Sequence, residues 1–195
     1  MKYNTGTIQQ ELLRFVDRDH ICPNCSMKPY TTMKVGGPAA LLLLPVTAGE
    51  LFGALEVTEK FDVPYVIMGN GSNLIFDDEG YDGIVIRIAG GLDHLRIEGN
   101  IIFAEAGTLL TTVAQAAAQA GLTGMEFACG IPGSVGGAVY MNGGAYGGEM
   151  SQIVHSVSSI SRAGIMKDRP GKELDFSYRK SVFQENGETI FGVKL

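Results

Sequence analysis

The residues whose types and spacing could do chemistry lie mostly in glycine-rich stretches. Gly69-Asn70-Gly71-Ser72-Asn73 follows an apolar run. Its two glycines let consecutive backbone amides face one anion, while Ser72 and Asn73 add side-chain hydrogen bonds. A diphosphate would suit such a loop. No Gly-Lys-Ser/Thr follows, as a Walker loop would require, and Leu74 stands where the third glycine of a Rossmann fingerprint belongs. A plain strand-to-loop turn is the competing reading. In Gly130-Ile131-Pro132-Gly133-Ser134-Val135-Gly136-Gly137-Ala138 a rigid Pro-Gly turn precedes small residues, leaving backbone against which a large flat ligand can lie. Asn142-Gly143-Gly144-Ala145-Tyr146-Gly147-Gly148 repeats the device. Ordered glycines oppose folding through lost backbone entropy, so two such loops flanking one short segment point to a ligand rather than to a turn alone.

The cysteines offer a second kind of chemistry. Cys22-Pro23-Asn24-Cys25 has the C-x-x-C spacing, with His20 just upstream. A zinc site normally takes four ligands, and Cys129 lies far along the chain in a glycine-rich context, so no metal is expected. Three cysteines cannot complete a disulfide framework, which fits a reducing compartment.

The elements that must position these loops read as a mixed α and β chain. Helical spacing of Ile8, Leu12, Phe15 and Val16 predicts a helix over 7–18, with Thr7 and Gln10 as a capping box. Residues 21–29 read as a connection. Leu41-Leu42-Leu43-Leu44 before Pro45 predicts a strand buried on both faces. Thr47 and Glu50 form a second capping box that opens a helix, and 64–68 reads as a strand, completing a strand-helix-strand unit that ends in the first glycine loop. The strands expected over 84–88, 92–97 and 101–105 have a different texture, so a boundary is drawn near Asp82. An alanine-rich helix from Leu110, capped by Gly121, follows. Strands are expected over 153–160 and 189–195, flanking a loop or short helix around 173–176. The organisation expected is an N-terminal helix and connection (1–29), a first lobe (30–82) and a second lobe (83–195).

Nearly half the residues are apolar and a net charge of -6 provides no broad cationic surface, so neither nucleic acid nor membrane is expected as a partner. No secretory stretch opens the chain, which predicts a cytoplasmic protein.

Taken together, TTMKVGGPA (31–39), GNGSN (69–73), GMEFACGIPGSVGGA (124–138), MNGGAYGG (141–148) and Tyr178-Arg179-Lys180-Ser181 resemble, in order and spacing, the signatures of the MurB reductases. These are UDP-N-acetylenolpyruvoylglucosamine reductases, flavoenzymes of peptidoglycan synthesis. The resemblance runs from Tyr30 to Leu195 and leaves the C-x-x-C outside it. It implies an α+β, two-lobed FAD-binding fold of the p-cresol methylhydroxylase type. By the same resemblance Gly69, Asn70, Gly71, Ser72 and Asn73 hold the FAD diphosphate. Ile131, Pro132, Gly133, Ser134, Gly136 and Gly137 line the diphosphate and flavin, and the loop bearing Asn142 and Gly147 closes the pocket. The family usually has alanine at Gly143. His94 and His155 lie outside these loops, so the FAD is expected to be non-covalent.

The resemblance also implies the chemistry. NADPH reduces the FAD, and the enolpyruvyl sugar nucleotide then takes up hydride. Tyr178 and Arg179 would bind this substrate, Arg179 serving as the catalytic cation at its carboxylate. The family's serine and glutamate acids belong to a C-terminal substrate domain whose motifs are not in this sequence, and Ser181 and Glu188 do not replace them. The chain alone is therefore expected to bind FAD but to reduce substrate poorly, and to self-associate through surface that domain would cover. The alternatives are a non-catalytic FAD-binding module and an oxidase of the wider fold.

Overall fold

The computed structural model describes residues 4–195; Met1 to Tyr3, part of the expected N-terminal segment, lie outside them. Helix α1 (Thr5–Leu12) is capped by Asn4, whose side chain accepts from the Thr7 amide, so the predicted Thr7 box is not the cap. The helix also stops well before residue 18. Beyond it the chain turns so that Phe15 presses against α2 (Ala48–Lys60), where a Cβ added to Gly53 would sit 2.2 Å from the Phe15 Cβ.

Residues 21–29 are no mere connection. Strand β1 (Ile21–Ser26) pairs antiparallel with β2 (Pro38–Leu43). The internal Pro23 argues against a strand in sequence, but β1 is the sheet edge, where a missing N–H is tolerated. Strands β3 (Tyr65–Met68) and β4 (Tyr81–Arg87) complete a four-stranded sheet in the order β1-β2-β4-β3, with β2, β4 and β3 parallel. The strand expected to open the second lobe is thus β4, wedged between the two strands of the strand-helix-strand unit. The boundary drawn near Asp82 falls inside this sheet. A buried parallel strand such as Ile84-Val85-Ile86 reads the same whichever sheet receives it. At α2 the Thr47 hydroxyl accepts from the Glu50 amide, as expected, while the Glu50 carboxylate accepts from the Val46 and Asp17 amides and pairs with His20.

The second sheet has five strands. Strands β5 (Leu95–Glu98) and β6 (Ile101–Glu105) form a hairpin and lead into helix α3 (Leu110–Gln119) and the short helix α4 (Val135–Tyr140). A two-stranded hairpin, β7 (Gly144–Ala145) and β8 (Gly148–Glu149), follows. Strands β9 (Ser156–Ile160) and β10 (Met166–Pro170), helix α5 (Phe183–Asn186) and β11 (Thr189–Lys194) complete the chain, giving the order β10-β9-β11-β6-β5. Strand β10, Met-Lys-Asp-Arg-Pro, has no apolar alternation and escapes sequence reading; charges and proline are what an exposed edge strand carries.

One apolar core joins both sheets. Leu41, Leu43, Ile84 and Ile86 pack with Leu51 and Leu55 of α2 and run on to Ile102, Val113, Val135 and Val157. Each fully buried side chain of this kind contributes roughly 1.5–3 kcal/mol. Phe52 of α2 meets Phe191 of β11 edge-on, with ring centroids 5.2 Å apart, at the seam between the sheets. The opposite face of the first sheet carries a smaller cluster of Met27, Ala39, Leu42, Met68, Phe76 and Val85. These two packings fix β3, and with it the loop that leaves its C-terminal end.

Candidate functional site

The 69–73 loop leaves β3 and lands directly on the 131–137 segment. A Cβ added to Gly69 would stand 2.1 Å from the Ser134 Oγ, so only glycine permits the approach. Asn70 Nδ2 donates to the Pro132 carbonyl at 2.8 Å. A third segment completes the junction: Thr32 N–H donates to the Gly71 carbonyl at 3.1 Å, and a Cβ on Gly71 would lie 2.2 Å from the Tyr30 carbonyl oxygen. The resemblance marks 31–39 as a signature but assigns the 30–32 segment no contact. The glycine at 71 was the signal, since its φ of 66° and this contact both require the absence of a side chain.

Among the described residues, the backbone amides of Asn70, Gly71, Ser72 and Asn73 donate to no acceptor, and neither do those of Gly133 and Ser134. Gly71 and Ser134 are buried residues, and their amides find no acceptor within the chain. Converging unpaired N–H groups form an anion-binding concavity.

Other residues singled out in the sequence have different partners. The Gly136 amide donates to the Ala106 carbonyl at 2.8 Å, and a Cβ there would stand 2.8 Å from the Ala106 Cβ; this glycine brings α4 against the end of β6. The Gly137 amide donates to the Ser134 Oγ, the N-cap of α4. Ile131 is half-buried and its amide donates to Ala128. Asn142 is buried, with Nδ2 donating to the Ser177 carbonyl at 3.1 Å and Oδ1 accepting from the Ser151 amide at 2.9 Å. Its amide group is spent inside the protein, tying the 142–148 loop to the Tyr178-Arg179 turn. Gly147 lies exposed at the tip between β7 and β8, with a φ of 86°.

Tyr178 and Arg179 form the tip of a tight turn closed by reciprocal Ser177–Lys180 backbone hydrogen bonds, both 3.1 Å. Arg179 holds a φ of 56°, a strained value for an arginine, and its Nη2 donates to the Gly144 carbonyl at 3.3 Å. Gln184 Nε2 grips the Arg179 carbonyl at 3.0 Å, and the Ser181 hydroxyl donates to Tyr140 at the C-terminal end of α4. Nearby, the Ser151 hydroxyl, the Asn142 amide and Arg179 hold the Glu149 carboxyl below its ordinary range. Helix α4, about 9 Å long for its six residues, thus has the unpaired amides at its start and the Arg179 turn anchored at its end.

A Cβ added at Gly143 would lie 3.4 Å from the Ala138 backbone, an ordinary contact, and the backbone there is not left-handed, so an alanine fits. Gly143→Ala is expected to raise stability by about 0.4–1 kcal/mol through reduced unfolded-state entropy, read as a higher melting temperature.

His94 lines a separate cavity of about 530 Å³ with Phe103, Glu105, Asp168 and Lys194 on the second sheet. His20 is engaged with Glu50 at 2.9 Å. No helix among the described residues is long and apolar enough to cross a membrane.

A family model described as "FAD binding domain" matches residues 38–168. The chain belongs to this FAD-binding domain family. It is 43% identical over 188 residues to the UDP-N-acetylenolpyruvoylglucosamine reductase of Alkaliphilus metalliredigens, covering 96% of this chain and 62% of that protein. Against the Bacillus subtilis reductase it is 42% identical over 165 residues, covering 85% and 54%. The chain therefore spans little more than half the length of these relatives. The solved structure of the reductase MurB from Thermus caldophilus superposes with a TM-score of 0.74 at 40% identity, over 86% of this chain and 59% of that one. p-Cresol methylhydroxylase superposes with a TM-score of 0.70 at 11% identity, over 97% and 42%, which shows the shared fold. The α+β FAD-binding fold expected from the resemblance is the one observed.

Proposed function

We propose that this chain is the FAD-holding part of a reductase acting on UDP-N-acetylglucosamine enolpyruvate, with NADPH as the reductant. The observation that carries this is the junction of the 69–73 and 131–137 segments, where glycine permits close approach and backbone amides of both segments find no acceptor within the chain. In this reading the amides of Asn70, Gly71, Ser72, Asn73, Gly133 and Ser134 hold the diphosphate, and the Ser72 and Asn73 side chains add hydrogen bonds. Ile131 and Pro132 give the flavin an apolar wall. When bound, FAD supplies the redox chemistry, passing hydride from nicotinamide to the enolpyruvyl double bond.

What the chain adds to that chemistry is charge and position. Hydride arrival at the vinyl carbon leaves negative charge that spreads into the substrate carboxylate. Arg179, fixed by the Ser177–Lys180 turn and by Asn142 and Gln184, meets that charge with a permanently cationic, bidentate guanidinium. A cation already held in place stabilises the transition state without reorganising. Asn142 and Gly136, expected to touch the cofactor, act in this proposal by placing Arg179 and α4.

The test is a visible absorption spectrum of the purified chain before and after addition of FAD. The expected result is the two visible bands of an oxidised flavin, retained through gel filtration and released by acid denaturation. A chain that neither carries nor takes up FAD overturns the reading, and flavin that stays with the denatured polypeptide overturns its non-covalent part.

A further inference from the structure

Cys22 and Cys25 take no part in the glycine-loop site, yet the fold brings them together. The β1–β2 ladder pairs Cys22 with Leu42 and Cys25 with Ala39 in one constant register and skips Asn24, whose φ is 48°. That kink turns both cysteines to the face that carries Leu42 and Ala39, where they pack at the rim of the small cluster. Both are half-exposed free thiols at the edge of one cluster, near enough to perturb one another electrostatically, with the Tyr30 hydroxyl beside Cys25.

The register bears on what such a pair can do. The left-handed Asn24, unmatched in the ladder, bends β1 between them, so the two thiols share one face although their three-residue spacing would put them on opposite faces of a regular strand. An ion bridging two thiolates with bonds of about 2.3 Å separates the sulfurs by up to about 4.6 Å and leaves the ladder intact. Zinc would seek four ligands, and among the described residues no group of three or more His, Cys, Asp or Glu side chains is gathered. The soft donors that are present, two thiols with the buried thioethers of Met27 and Met68 in the adjoining cluster, select a soft ion of low coordination number.

We propose that Cys22 and Cys25 form a two-thiolate site for a thiophilic monovalent cation of the copper(I) class. Binding forms two metal–sulfur bonds and releases one proton from each thiol, so the bound unit carries a single negative charge. The Arg87 guanidinium stands 5.5 Å from the centre of the Tyr30 ring, whose hydroxyl is a neighbour of Cys25, and its buried Nε has no hydrogen-bond partner. Burial and the neighbouring Cys22 push the Cys25 thiol up to about 11, so ion binding must compete with a tightly held proton. The site stands apart from the FAD reading and is tested without flavin.

The experiment is anaerobic titration of the purified chain with copper(I) against a chromogenic chelator. One ion per chain is expected, with affinity weakened about a hundredfold or more in Cys22→Ser and in Cys25→Ser and unchanged in Cys129→Ser. Should the serine variants misfold, copper(I) protection of Cys22 and Cys25, but not Cys129, from alkylation in the unaltered chain serves as the readout. Absence of competition, binding or protection that does not depend on Cys22 and Cys25, equally tight uptake of zinc, or ready closure of a Cys22–Cys25 disulfide in the folded chain would each overturn the proposal.

Discussion

Gly71→Val is expected to strip the chain of FAD and to lower its stability by about 3 kcal/mol or more. Two costs combine. The backbone at Gly71 is left-handed, with a φ of 66°, which costs an ordinary residue about 1–2 kcal/mol and a β-branched one more. A Cβ there would also lie 2.2 Å from the Tyr30 carbonyl oxygen and 3.1 Å from the Thr31 Cα, both backbone atoms that cannot swing away. Overpacking of this kind typically adds about 1–3 kcal/mol. Relief requires the 30–32 segment to part from the loop, which breaks the Thr32–Gly71 hydrogen bond and scatters the unpaired amides. Flavin should thus be lost even where the fold survives. Gly130→Ala is the control, because a Cβ there meets nothing within 4 Å. Melting curves with and without FAD, alongside flavin content on purification, make the comparison. A Gly71→Val chain that keeps its flavin and melts like the original would remove the junction from the cofactor site.

The contrast between these two glycines shows what the sequence could convey. Glycine clusters report where side chains are forbidden, so the 69–73 and 131–137 loops were legible as places of close approach. They do not report what approaches. At Gly136 the neighbour is Ala106, and at Gly69 it is Ser134. The family resemblance, not the residue's own surroundings, puts Asn142 in the loop that closes the cofactor pocket. Which acceptor an amide reaches depends on long-range packing, and here Ser177, 35 positions on, takes it. The same limit hid β4 between β2 and β3, since strand order in a parallel sheet follows from crossovers rather than local pattern. Edge strands β1 and β10 were illegible for another reason: proline and charge, which keep an edge from pairing with strangers, also erase its alternation. Helices α2 and α3 were read well because amphipathic spacing and cap residues act within a few positions.

Glu188 supplies the second large effect, and it concerns stability rather than catalysis. Its carboxylate is almost wholly buried at the start of β11 and accepts from Arg169 Nε at 2.8 Å and Nη2 at 2.6 Å, and from the Ser159 hydroxyl at 2.8 Å, with Lys167 at 3.3 Å. Arg169 and Lys167 belong to β10, so one carboxylate pins the edge strand to the sheet. The Arg169 hydrogen bonds above all hold the Glu188 carboxyl down from 4.5 to about 2. A depressed folded-state value means that stability is present in full above the unfolded value and drains away as pH falls from about 4.5 towards about 2. The displacement corresponds to about 3 kcal/mol at neutral pH, close to the roughly 3–5 kcal/mol typical of breaking a buried ion pair. Glu188→Gln should therefore lower the melting temperature by about 6–12 °C at neutral pH. The gap between variant and original should narrow by about half by about pH 3 and close only towards about pH 2, where Glu188 is itself neutral and loses its hold on Arg169. Denaturant unfolding at about pH 7 and about pH 3 measures both quantities. Equal stability at neutral pH, or a gap that persists undiminished in acid, would show that β10 is held by its backbone ladder and not by this carboxylate.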